Sequence, residues 1–432
     1  MLKKVIVSIV FSLFLACVVV AQNKNPLEKR VDDVIGLFSK TPDKYEEVFD
    51  KEFLKQVPAT KLTELFTNFF DQLGSCIKTT RLASNQPGVD KFELIFEKGF
   101  SVQMTIIVDT KEPYYVTSLF LSNPTPIATD FNALTQELKK FPGETSFVAA
   151  KLKDGKLQVL ASHNPDTPLA IGSTFKLYVL SELVRSIKAG EHKWNEVTYL
   201  QEDAMSLPSG MLQKWPVDSP VTLYTLASLM ISISDNTATD HLIKFLGREK
   251  IEKILSTAGN TKTELNIPFL KTSEMFKLKL ETSSKMADIY IAKDAKARRD
   301  MLNNEVSKID KQNLKAFSKP LYVDKIEWFA SANDLARLLN YLREQTESEE
   351  TKAARGVLAI NSGIEISKKD WAYIGFKGGS EPGVVNLTYL LQSTKGEWFF
   401  LSLGWNNTNA LVDENKLIEI TKSSLDLLRK TQ

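Results

Sequence analysis

The region from Glu144 to the C-terminus is framed by strand-like runs at both ends. "TSFVAAKLKDGKLQVLASH" opens it, and "WAYIGFKGG", "VVNLTYLLQS" and "GEWFFLSLGW" come near its close. Between them, apolar residues recur at helical spacing from Ser173 to about Phe245, and a charged helical region follows near 282–316. Strands at both ends of a mostly helical middle predict one antiparallel sheet covered by helices, an α+β arrangement. Asp154-Gly155 is the turn signal joining the first two strands. "NTKTELNIPFLKTSEMF" reads as an irregular patch, and "ENKLIEITKSSLDLLRK" as a closing amphipathic helix.

A smaller unit precedes this one. "NPLEKRVDDVIGLF" and "ATKLTELFTNFFDQLGSCI" have helical spacing, the second with Leu62, Leu65, Phe66, Phe69 and Phe70 on one side. "KFELIFEKG", "SVQMTIIVDT" and "YYVTSLFLS" then read as strands of a three- or four-stranded antiparallel sheet. The expected organisation is therefore an α+β domain over 27–122, a linker over 123–130 and a larger domain over 131–432, which suits a chain of 432 residues. Hydrophobic residues at 43% and charged residues at 25% support sizeable cores. Lys and Arg exceed Asp and Glu by only two, with no long block of one sign, so no nucleic-acid partner is expected.

The first 21 residues read as an export signal: Lys3 and Lys4, then "VIVSIVFSLFLACVVV", then small residues before Gln22. The run is short for a retained anchor. Phe14-Leu15-Ala16-Cys17 is a poor lipoprotein site, so no membrane partner is expected beyond the signal, and the protein is expected to be secreted or periplasmic. Removing the signal leaves Cys76 alone, which excludes an intramolecular disulfide.

Chemistry concentrates in "IGSTFK". Ser173 and Lys176, at i and i+3 on a helix start, put an amine beside a hydroxyl. A neutral amine there can take the hydroxyl proton as the oxygen attacks a carbonyl. The motif is short, and Ser75-Cys76-Ile77-Lys78 matches it too, as sequence at a helix end. Ser234-Asp235-Asn236, at a polar break between helical runs, and Lys377-Gly378-Gly379-Ser380, following "WAYIGF", single out Ser173 by order and context. Ser162-His163-Asn164 and Ser331-Ala332-Asn333 are decoys of the former, and Lys153-Asp154-Gly155 of the latter. His163, His192 and His241 have no metal-ligand spacing, and no phosphate-cradling glycine loop occurs, so neither metal nor cofactor is expected.

From Asp130 to Gln432 the sequence resembles the penicillin-recognising serine hydrolases, specifically class A β-lactamase-like domains. The resemblance implies a β-lactamase/transpeptidase-like fold. It makes Ser173 the acylated nucleophile, Lys176 its base or proton relay and Ser234 the proton shuttle to the leaving nitrogen. Asn236 becomes a substrate contact, Lys377 the cation receiving a substrate carboxylate, and Gly379 and Ser380 the strand edge. The N–H groups of Ser173 and Ser380 would form the oxyanion hole. Two departures stand out: Lys377-Gly378-Gly379 lacks the usual hydroxyl residue after the lysine, and the loop carrying the deacylating glutamate is replaced by "LNIPFLKTSEMFKLK", with Glu274 the nearest carboxylate. The extra α+β domain is similar to that of two-domain relatives typified by a protein of the clavulanic acid cluster, with a cystatin-like or steroid-isomerase-like (NTF2-like) N-terminal domain. The implied substrates are small β-lactams, esters or cell-wall peptides. A D-alanyl-D-alanine peptidase (a penicillin-binding protein) and a non-catalytic binding or sensor protein are the alternatives.

Overall fold

The computed structural model describes residues 25–82, 87–128, 130–280, 285–310 and 318–432. The chain forms two compact units that part after Pro126. The expected export signal, with Cys17, lies outside the described residues.

In the first unit, helices α1 (Pro26–Gly36) and α2 (Ala59–Leu73) precede strands β1 (Cys76–Leu82), β2 (Asp90–Phe96), β3 (Phe100–Val108) and β4 (Val116–Leu121). The strands pair antiparallel in that order, and the two-residue strand Thr125–Pro126 adds to β3. α2 buries Leu62, Phe66 and Leu73, a single helical face. Leu65, expected on that face, points to solvent instead. Phe38 meets Phe66 and Phe96 edge-on with centroids 5.0 and 5.1 Å apart, centring the core. Ser75-Cys76-Ile77-Lys78 follows directly on the end of α2, as expected, and continues into β1: Gly74 stops α2 and Cys76 already pairs with Phe96.

The second unit begins with α3 (Phe131–Leu138) and the hairpin β5 (Glu144–Lys153) and β6 (Lys156–His163). A helical layer follows, including α4 (Lys176–Lys188), α5 (Leu223–Ser232), α6 (Asn236–Leu246), α7 (Thr272–Leu280) and α8 (Ala332–Gln345). Strands β7 (Trp371–Glu381), β8 (Val384–Ser393) and β9 (Trp398–Asn406) and helix α9 (Glu414–Arg429) complete it. The five strands form one antiparallel sheet in the order β7-β8-β9-β5-β6. The pairing of β9 with β5, with Leu401 opposite Ala149, joins the two ends of the unit.

Both faces of this sheet are covered. Along β5, Phe147 and Ala149 pack with α3 and α9, while Val148 and Ala150 pack with the helical layer. That alternation explains why β5 reads as a continuous apolar run. α4 runs through the middle of the helical layer with Leu177, Val179, Leu180, Leu183 and Val184 all fully buried. Its entry is fixed by Phe175, stacked on Trp328 at 3.7 Å and 11° and meeting Phe269 edge-on at 5.7 Å. Trp328 Nε1 donates to Leu270 O at 3.1 Å, so both ends of the stack are tied down. The charged region near 282–316 contains helices Lys285–Ala292 and Ala295–Asn304. No helix among the described residues is long and apolar enough to cross a membrane.

Trp328→Ala removes one half of the Phe175 stack and leaves a cavity, an expected loss of about 3–5 kcal/mol. Urea titration followed by circular dichroism should show the unfolding midpoint of the larger unit moving down accordingly.

Candidate active site

Ser173 does not lie on an α-helix. It is in a 3₁₀ turn, Gly172–Phe175, and α4 proper begins at Lys176. Strand β7 runs directly over this turn. A Cβ at Gly379 would sit 2.2 Å from Ile171 O, 2.5 Å from Ser173 N and 2.7 Å from Thr174 N, so only glycine permits the approach. Gly172 in turn stacks against Ser380: a Cβ there would lie 3.2 Å from Ser380 N. The backbone nitrogens of Ser173 and Ser380 thus stand on two touching segments, where a pair of N–H donors can receive an oxyanion.

Lys176 is fully buried, and its Nζ has three oxygen partners: Ser234 O at 2.7 Å, Asn236 Oδ1 at 2.8 Å and Ser234 Oγ at 3.0 Å. The Asn236 amide orientation is fixed from its other end, because Nδ2 donates to Leu207 O at 3.0 Å. Two of the three partners are carbonyl oxygens that can only accept. They take both hydrogens of a neutral amine and leave its lone pair for hydroxyl chemistry. Burial, then the nearby charge of Lys377, holds Lys176 well below the usual lysine range, against the opposing pull of Asp240 and Asp235.

Ser234 adopts a left-handed conformation at φ 57°, uncommon for a residue with a side chain. Ser209 clamps it: its Oγ donates to Ser234 O at 2.7 Å, and its carbonyl accepts from Asn236 N at 3.0 Å. Asp235, fully buried, accepts from Met211 N at 2.7 Å, Leu212 N at 3.0 Å and Ala238 N at 2.8 Å, so it both caps α6 and pins the loop before α5. Lys377 reaches Ser234 Oγ at 3.2 Å and Gly378 O at 2.5 Å, and its burial pushes its pKa down to about 7. All seven predicted site residues, Ser173, Lys176, Ser234, Asn236, Lys377, Gly379 and Ser380, are therefore gathered where α4, the α5–α6 turn and β7 meet.

Residues 126–384 match the Beta-lactamase enzyme family. The chain belongs to that family. Among solved structures, the β-lactamase from Francisella tularensis is similar with a TM-score of 0.50 at 13% identity, covering 70% of this chain and 99% of that one. A β-lactamase from Sphaerobacter thermophilus gives 0.49 at 19% identity, covering 70% and 98%. At such identity the first likeness concerns the fold alone. Among curated proteins, none matches this chain.

Within this Beta-lactamase family chain, Glu274 is not directed at Ser173 chemistry. Its Oε1 accepts from Arg248 Nη2 at 2.6 Å and its Oε2 from Lys271 N at 2.8 Å, which makes it the ion-pair partner of Arg248 and a brace for the start of α7. Asp240, one turn beyond Asn236, holds the same helix start: its oxygens accept from Thr272 N and Thr272 Oγ1, both at 2.7 Å, and from Ser273 N at 2.9 Å. This long-range cap explains why α7 begins within a stretch that reads as irregular. Burial raises the Asp240 pKa despite these donors.

The decoys have structural work. Ser331 caps α8 in a reciprocal capping box with Asp334, and Asn164 Nδ2 donates to Thr145 O at 3.1 Å beside β5. Sequence reasoning missed Ser209 and Asp240. It also missed a buried cluster one residue beyond Ser380: Lys279 Nζ donates to Glu327 Oε1 and Glu381 Oε1, each at 2.5 Å. Burial, and then the adjoining Glu327 carboxylate, raises Glu381 well above the usual carboxylate range.

Glu274→Gln keeps the shape but removes the charge facing Arg248. The melting temperature should fall, while the release rate of any Ser173 acyl adduct, followed by intact mass over time, should stay within about twofold of the parent.

Proposed function

We propose that the protein is an exported serine hydrolase of the class A β-lactamase-like type that works through an acyl-enzyme on Ser173. Its substrates would be β-lactam, ester or peptide-like amide compounds, with slow or atypical β-lactamase turnover. The observation that carries this reading is the buried, depressed Lys176 amine, held one turn from Ser173 by Ser234 and Asn236. In this mechanism Ser173 Oγ attacks the acyl carbon and gives its proton to Lys176. The Ser173 and Ser380 N–H groups carry the oxyanion. Ser234 Oγ protonates the departing atom and regains its proton from Lys176 across their 3.0 Å contact. Water then releases the acyl group.

The engagement of Glu274 by Arg248 favours a slow last step, since the carboxylate nearest in sequence to that role is already committed. Slow release suits a second reading, a D-alanyl-D-alanine peptidase of the penicillin-binding type. D-alanine released from a stem pentapeptide would select it. The N-terminal unit is proposed to be the cystatin-like or NTF2-like domain of the two-domain subgroup, with a role in engaging a ligand or partner.

Exposure to penicillin or nitrocefin should add the drug's mass to Ser173. Lys176→Ala should abolish that adduct and lower acylation by about a hundredfold or more while the circular dichroism spectrum stays native. No adduct and no nitrocefin turnover in the parent would remove the reading.

Lys377 is cationic below about pH 7 and neutral above it, so its hold on a substrate carboxylate is present at lower pH and lost as pH rises. For a penicillin, kcat/KM should therefore decline as pH rises past about 7. For a neutral ester it should lack that decline, as a pH profile of both substrates would show.

A further inference from the structure

In the acyl-enzyme reading, the group that departs from the acyl carbon takes its proton from Ser234. It must therefore lie against Ser234, Lys377 and the following residues of β7. The segments that adjoin Ser234 carry apolar side chains open to solvent. Ile233, immediately before Ser234, is 46% exposed. Leu207 and Met211, on the loop pinned to Asn236 and Asp235, are 43% and 42% exposed. A further wall is the segment from Ile360 to Ile364, which bridges the end of α5 and β7: Asn361 Nδ2 donates to Ser232 O at 2.8 Å, and a Cβ on Gly363 would lie 2.2 Å from the Phe376 ring. Ile360, at the start of this bridge, is 53% exposed. Four exposed apolar side chains thus stand on three segments that adjoin Ser234 or are hydrogen-bonded to its neighbours in the chain.

Provision for an anion at the same place is thin. Lys377 is buried and already shared between Ser234 Oγ and Gly378 O. Its cross-strand neighbour is Thr388, whose hydroxyl donates to Asn386 Oδ1. β8 as a whole, "VVNLTYLLQS", contains no Lys or Arg. Position 378 has no hydroxyl to offer, and the Phe376 ring stands 2.8 Å from where its Cβ would be. Arg355 is turned elsewhere, donating to Thr346 Oγ1 and Arg343 O.

We propose that the leaving-group side of this site is built for an uncharged, apolar group, so that the preferred substrates are neutral esters of apolar alcohols or phenols rather than compounds carrying a carboxylate beside the scissile bond. The proposal rests on the acyl-enzyme reading. As Ser173 Oγ bonds to the acyl carbon, the bond from that carbon to the alcohol oxygen breaks, and the alcohol departs with the Ser234 proton. Water then takes the acyl group as a carboxylic acid and returns the proton to Ser173.

Two aryl acetates that differ only in charge test it: 4-nitrophenyl acetate and its 3-carboxy analogue, with Ser173→Ala as the background. The parent protein should favour the neutral ester by about tenfold in kcat/KM, after correction for the intrinsic reactivities. Ile360→Lys and Leu207→Lys, both at exposed positions, should each narrow that ratio by about threefold or more. An equal or reversed preference in the parent, or a ratio that neither lysine variant moves, overturns the proposal even though Ser173 is acylated. Failure of both esters to add an acetyl group to Ser173 overturns the acyl-enzyme reading beneath it.

Discussion

A lysine amine with no solvent contact is the constraint around which the larger unit is arranged. Burying an ammonium without partners is prohibitive, so such a group must be surrounded by acceptors, surrender its proton, or both. Lys176 has both solutions available. Ser234 O, Ser234 Oγ and Asn236 Oδ1 surround it, and each is held by something else: Ser234 by Ser209, Asn236 by Leu207, and the residue between them, Asp235, by Met211 and Leu212. From the other side, the stack of Phe175 on Trp328 sets where α4 begins and hence where the amine is delivered. The strained Ser234 backbone follows from the same requirement, since one residue has to offer both its carbonyl and its hydroxyl to one nitrogen.

Charge at the site is divided unevenly. Lys176 and Lys377 both approach Ser234 Oγ; burial, and after it the Lys377 charge, disfavours protonation of Lys176, while burial lowers Lys377. Asp235 and Asp240 temper this from behind α6, yet their oxygens are committed to backbone donors of two flanking segments. Carboxylates near the site are thus spent on architecture: Asp235 on the loop, Asp240 and Glu274 on the start of α7. Ser173 and Lys176 stand one turn apart beside Ser234, while none of these three carboxylates is left free to activate a water.

The parts of this arrangement legible in the sequence are those with local signals. The hairpin through Asp154-Gly155 and the three late strands read correctly because alternation and turn residues are contiguous. Ser234 and Lys377 were recognisable through order and context, although their tripeptides recur. The 3₁₀ turn at Ser173 was not, because it packs against the backbone of Gly379, far along the chain. The start of α7 was hidden for a similar reason: its cap, Asp240, comes from another helix. Ser75-x-x-Lys78 follows the helix end as its sequence suggests, and its continuation into β1 is set by pairing with a strand further along the chain.

The Lys279–Glu327–Glu381 cluster extends this logic to the edge of the sheet. Glu327 Oε2 is buried with no hydrogen-bond donor among the described residues unless Glu381 keeps a proton, and the raised proton affinity of Glu381 supplies that donor. One lysine, one carboxylate and one carboxylic acid then close into a neutral set with its hydrogen bonds satisfied, where three separate ions would be severely penalised. Burial of such a set gains little stability over apolar packing, so its value lies in registry. It ties α7 to the last residue of β7, directly after Ser380. β7 is an edge strand, held within the sheet from one side only, by β8. Gly379 against Ser173 fixes the strand's height, and Glu381 fixes its position along its own axis, so that the Ser380 N–H stays beside that of Ser173.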